Sequence, residues 1–149
     1  MTDPTIDATV AGPESNSYVT LAFADAYFAD TLEGREWLGF PSGDRARALI
    51  SATRKIDMEF RFYGVRAFML QALKFPRDGD YDADGNLRIP DGIEYAACEL
   101  ALHILRGSKI VAALTEGYTG PVFDLFPRRV RKLLRPFIDA ALSREAPHA

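Results

Sequence analysis

Phe75-Pro76-Arg77-Asp78-Gly79-Asp80-Tyr81-Asp82-Ala83-Asp84-Gly85-Asn86-Leu87-Arg88-Ile89-Pro90 is the stretch on which the reading of this chain turns. Two prolines, two glycines and four aspartates in sixteen residues leave no room for a helix. Helical patterns lie on both sides. Asp84-Gly85 is a turn signal, so the stretch reads as an acidic loop or β-hairpin if short strands flank it.

Downstream, Pro90 and Asp91 open a helix over Ile93 to Arg106, closed by Gly107. Ile93, Ala96, Ala97, Leu100 and Ile104 make one apolar face; Cys98, Leu102 and Leu105 make a second. A helix apolar nearly all round is buried on both sides, here by the chain's own arms or by a neighbouring subunit. Upstream, Ser42 or Asp44 is the expected cap of a helix reaching about Phe60, with Leu49, Ile50, Thr53, Ile56 and Phe60 at helical spacing. Thr20 caps a shorter helix through Phe28, and Trp37, Leu38 and Phe40 read as an aromatic plug of the core. Gly64 breaks the pattern before Ala67–Leu73, a helical turn or an extended piece. After a loop with a possible turn at Ile110–Leu114, a fourth helix starts near Pro127. Its stripe is Val130, Leu133, Leu134, Phe137, Ile138 and Ala141, and Pro136 is expected to kink it.

The expected fold is therefore mainly α: a small bundle of about four helices with a β-hairpin or acidic loop insert at 75–90 and extended termini. Residues 1–15 read as a flexible arm, 16–142 as one helical domain and 143–149 as a tail. At 149 residues the chain has the length of one domain and can bury a core without staples. A single cysteine excludes an internal disulfide and a Cys-based zinc site. No apolar run approaches a membrane span, and the acidic N-terminus does not read as a signal peptide.

The net charge of −3 is arranged in blocks. Residues 1–44 carry eight acids and one base, 45–77 eight bases and two acids, 78–99 seven acids and one base, and 100–149 eight bases and four acids. Such blocks either mix on the folded surface or make the chain self-complementary for head-to-tail rings.

Candidate chemistry is sparse. Asp80, Asp82 and Asp84 before Gly85, with Leu87 two places after it, match the first half of an EF-hand calcium loop. The second half departs from it. The twelfth place is Asp91 instead of Glu, and the entry through Pro76 cannot be a helix. The alternative is a solvated hairpin presenting negative charge. His103 lies on an apolar helix and His148 in the tail. With no credible His–nucleophile pair, no phosphate loop and no facing carboxylates, an enzyme is not expected, and no cofactor or metal is implied. Arg128, Arg129, Arg131, Lys132 and Arg135 are five bases in eight residues. They form a solvated helix face, or a contact for DNA phosphates or an acidic partner.

The order of the pieces resembles a known family. Asn16-Ser17-Tyr18-Val19-Thr20-Leu21, Ala24-Asp25-Ala26-Tyr27-Phe28 and Ala48–Asp57 are similar to phage proteins called DnaT-like single-stranded-DNA-binding proteins. So are Phe75-Pro76-Arg77, the acidic turn, Ile89-Pro90 and Ala96–Ala101. Phe75 stands where the family pattern has Trp. The likeness covers about residues 15–106. The family looks like the head-tail connectors, or head-completion adaptors, of tailed bacteriophages. The resemblance implies a structural virion protein made in the host cytoplasm, one subunit of a ring, commonly of twelve copies. That ring would sit below the portal, extend the channel for packaged double-stranded DNA, and dock the tail or a nozzle or stopper protein. A phage replication protein that binds single-stranded DNA is the alternative. On the first reading Arg128–Arg135 and the aspartates at 80, 82 and 84 meet portal, DNA or a neighbouring subunit.

Overall fold

The computed structural model describes residues 3–107, 120 and 122–139. Among the described residues, five α-helices joined by turns make a mainly helical bundle: α1 (Leu21–Ala29), α2 (Gly34–Gly39), α3 (Ser42–Glu59), α4 (Asp91–Leu105) and α5 (Arg128–Leu134). A 3₁₀ turn precedes α5 at Val122–Leu125 and another follows it at Arg135–Phe137. The expected turn at 110–114, Ala141, His148 and the tail lie outside the described residues.

α4 is the centre. Its two apolar faces are both covered by the chain itself, because it packs chiefly between α3 and α5. Ile93, Ala96, Ala97, Cys98, Leu100, Ala101 and Leu102 are all buried. Small side chains such as these alanines let neighbouring helices approach closely. Gly107 closes the helix in the left-handed region (φ 82°), donating to Ile104 O at 3.0 Å.

α3 buries Ala48, Leu49, Ala52, Thr53 and Ile56 along the expected stripe, while Ile50 sits at its edge. The expected cap fails: Pro41 is the N-cap residue, and Ser42 Oγ instead donates to Asp3 Oδ2 at 3.0 Å. Glu59, at the end of the helix, is buried despite its charge. In α1, Thr20 caps as expected, its hydroxyl accepting from Phe23 N at 3.0 Å. Gly34 opens the short α2, which carries Trp37 into the core against Phe28 at 4.8 Å between ring centroids. Leu38 is not part of that plug, because the helix turns it outward.

Pro136 ends α5, the fourth helix of the sequence reading, instead of kinking it. Its missing N–H removes a helical hydrogen bond, while Arg135 before it still holds helical angles (φ −49°, ψ −45°). The chain tightens into the 3₁₀ turn and then extends, so that Ile138 bridges Phe62. Residues 3–17 fold back on the chain: Asn16 N donates to Asp7 O at 2.8 Å and Ala72 N to Gly12 O at 2.9 Å. Ser15 and Ser17 are buried.

Between α3 and α4 the backbone makes isolated bridges in place of ladders: Phe62 with Ile138, Arg66 with Arg77, Tyr81 with Leu87. The Phe75–Pro76 peptide is cis.

Candidate functional site

The basic helix α5 is less free than its sequence suggests. Val130 and Leu134 point into the core, which aims the bases outward or sideways. Arg129 Nε lies 3.4 Å from Glu99 Oε2, and that same oxygen accepts from the Tyr27 hydroxyl at 2.7 Å. Burial and the Glu99 carboxylate hold the Tyr27 hydroxyl protonated far above its usual range. Arg131 Nη1 lies 3.8 Å from Asp124 Oδ1. The Arg131 and Arg135 guanidinium groups lie 6.0 Å and 5.0 Å from the Phe123 ring centroid. Three of the five bases thus have partners inside the chain. Arg128 and Lys132, one helical turn apart, remain exposed as a two-charge patch.

In the acidic insert the three aspartates have different tasks. Asp80 Oδ2 accepts from Arg77 N at 2.7 Å. Asp82 Oδ1 accepts from Asp84 N and Asn86 N, both at 2.9 Å, and so builds the tip of the turn around Gly85 (φ 83°). Asp84 is exposed. Among the described residues, no three His, Cys, Asp or Glu side chains are grouped to hold a metal ion. Asp91, at the twelfth place, is paired with Arg88.

The segment that sequence reasoning missed lies just before this insert. Residues 60–77 hold Arg61, Arg66, Lys74 and Arg77 and no acid. Tyr63, Val65, Phe68, Met69 and Leu70 are exposed, Met69 to 89%. The backbone leaves α3, pairs with the chain after α5 (Tyr63 N to Phe137 O, 3.0 Å), and turns at Gly64 (φ 81°). It then pairs with its own return arm: Ala67 N donates to Pro76 O at 3.0 Å and Asp78 N to Val65 O at 2.8 Å. The result is a hook whose tip is Phe68-Met69-Leu70.

Buried polar groups fix the hook in shape. Gln71, buried, accepts from Phe68 N at 2.9 Å and donates to Leu73 O at 2.9 Å. Arg77 donates to the carbonyls of Tyr63 (3.0 Å), Lys74 (2.9 Å), Phe62 (3.3 Å) and Gly64 (2.5 Å). Its base is stapled to α3 by Asp57, which accepts from the Tyr18 hydroxyl and, at 3.0 Å, from Lys74 N. Burial pushes Asp57 up, against the pull of these donors, and pushes Lys74 down. These titratable groups are absorbed in hydrogen bonds to backbone and to one another, which is a structural use. A sequence signal for the hook does exist: six large apolar residues between 62 and 70 fit neither the helical nor the strand period.

A family model described as "Putative DnaT-like ssDNA binding protein" matches residues 5–119. No curated protein and no solved structure matches the chain.

Proposed function

The chain belongs to the DnaT-like ssDNA-binding protein family, and from that membership we propose that it is a non-catalytic assembly subunit: a head-tail connector that forms a ring below a phage portal. The supporting observation is the hook. A small chain that buries its own core and still holds five large apolar side chains in solvent, on a backbone fixed by buried hydrogen bonds, carries a surface made for a protein partner. The likeness of the family to phage adaptors supplies the kind of partner: further copies of itself, the portal, and a tail or stopper protein. The channel's double-stranded DNA would meet the exposed bases Arg128 and Lys132. Such a protein would do its work in the virion, by binding alone.

A second reading, a protein that binds single-stranded DNA in replication, is favoured by the family description and by the hook's composition. Tyr63 and Phe68 among Arg61 and Arg66 are the aromatic and cationic types that stack bases and neutralise phosphates. The two readings separate by negative-stain imaging and sedimentation of the purified protein, alone and with portal, beside an oligonucleotide titration over a range of salt. Rings, or portal-bound rings, are expected. Persistent monomers that ignore portal and bind single strands, with a salt slope reduced by Arg66→Ala, would favour the replication reading.

A further inference from the structure

Two adjoining surfaces of the α3–α4 connection have opposite chemistry. The hook, residues 60–77, is basic and apolar with no acid. The next ten residues, 78–87, hold four aspartates, no base, and an exposed Tyr81. The two are fixed side by side by the pairing of 65–67 with 76–78. Arg66, Met69, Asp78 and Asp84 all stay exposed in the folded chain.

We infer that the hook of one copy docks on the acidic turn of the next copy, as the head-to-tail contact that builds the assembly. This rests on the ring reading above and names its contact. Charge complementarity selects the occupant. A basic, apolar hook seeks an acidic surface with apolar content, and the chain itself offers one at 78–87, including the exposed ring of Tyr81. Made head to tail, with each copy giving its hook to one neighbour and its turn to the other, the contact is heterologous, so it propagates from copy to copy and closes when the rotation allows. Because the hydrogen bonds of Gln71 and Arg77 already hold the hook in shape, docking orders little backbone, which lowers the cost of association. The charges steer and register the contact; the tip residues Phe68, Met69 and Leu70 supply the apolar burial.

The test uses the full chain carrying Met69→Cys in one preparation and Ala83→Cys in another. The native Cys98 is buried and does not compete. A short bismaleimide added to the mixture, alone and with portal, is expected to give a mixed covalent dimer at several times the yield of either preparation alone. In parallel, Arg66→Glu and Asp84→Lys should each weaken self-association tenfold or more, and mixing Arg66→Glu protein with Asp84→Lys protein should restore it in assemblies that alternate the two. Trp37 fluorescence reports that each variant is folded. Wild-type rings with neither the cross-link nor a response to the charge changes would overturn the contact and leave the ring reading standing. Monomers under every condition would overturn both. Loss of oligonucleotide binding in Arg66→Glu, with sedimentation unchanged, would assign the hook to single-stranded DNA instead.

Discussion

The side-chain amide of Gln71 donates to the Pro76 carbonyl at 2.8 Å, from a position only 5% exposed. With its bonds to Phe68 N and Leu73 O it closes the hook from inside. Gln71→Ala takes the acceptor from the part-buried Phe68 N–H and one donor each from the Leu73 and Pro76 carbonyls, which keep Arg66 Nε at 3.3 Å and Ala67 N at 3.0 Å. A loss of about 1–2 kcal/mol is expected, the scale of a few intramolecular hydrogen bonds. The urea midpoint followed by Trp37 fluorescence measures it, and amide exchange should quicken at residues 67–76 before the rest of the chain. An unchanged midpoint would mean that the hook does not depend on this amide.

Arg77 secures the same segment from its other side. Its guanidinium reaches four carbonyls and lies 5.8 Å from the Phe75 ring centroid. A lysine ammonium is a compact point charge and cannot span that fork of acceptors. Arg77→Lys should therefore lose about 2 kcal/mol despite keeping its charge, since bonds from charged donors are the stronger kind. Thermal unfolding of the two proteins at matched ionic strength checks this. A variant as stable as wild type would show that charge alone suffices.

Gly92 sets how closely α4 and α5 pack. A methyl group there would meet Leu133 O at 3.0 Å and Phe137 Cε2 at 2.8 Å. The carbonyl belongs to helix backbone and cannot swing aside, so the helices must separate. Gly92→Ala is expected to cost about 1–3 kcal/mol, the range for overpacking. Gly39→Ala, where nothing lies within 4 Å of the added atom, is the control and should be neutral or slightly stabilising. Denaturant titrations of both distinguish packing from a general effect of replacing glycine.

The bundle was legible because its helices announce themselves. Thr20 before Leu21, the stripe Leu49–Thr53–Ile56, and the two-faced Ile93–Leu105 pattern are local signals, and local signals survive folding. What escaped was decided over distance. Arg129 looked like an available base until tertiary packing set it beside Glu99, thirty positions earlier in the sequence. Asp82 read as one charge of an acidic turn, until the N–H groups of Asp84 and Asn86 were seen to converge on its carboxylate. The hook stayed hidden because its apolar residues obey neither period, and five of them are exposed instead of packed in the chain's own core. Pro136 was read correctly as a disruption, but whether a helix bends or stops depends on what the chain beyond it can pair with, here Phe62.

Glu94, on the first turn of α4, gives the chain a pH dependence of definite sign. Burial, reinforced by Asp91 and opposed by Arg88, pushes its carboxyl up to about 7 from an ordinary 4.5. Between those values the folded chain binds a proton that the unfolded chain has released, so stability falls as pH rises through this window. The advantage is fully present below about 4.5 and is gone above about 7. Because the carboxylate is only half-buried, solvent screening reduces the effect to the order of 1 kcal/mol. Other groups titrate too, with Asp57 pushed up, and Asp7 and Glu36 held down by their hydrogen-bond donors. The clean measurement is therefore a difference. Glu94→Gln keeps the shape and removes the titration, so the variant should gain on wild type as pH goes from 5 to 8, with most of the gain below about 7. A constant difference across that range would mean that Glu94 ionises in the folded chain as it does in water.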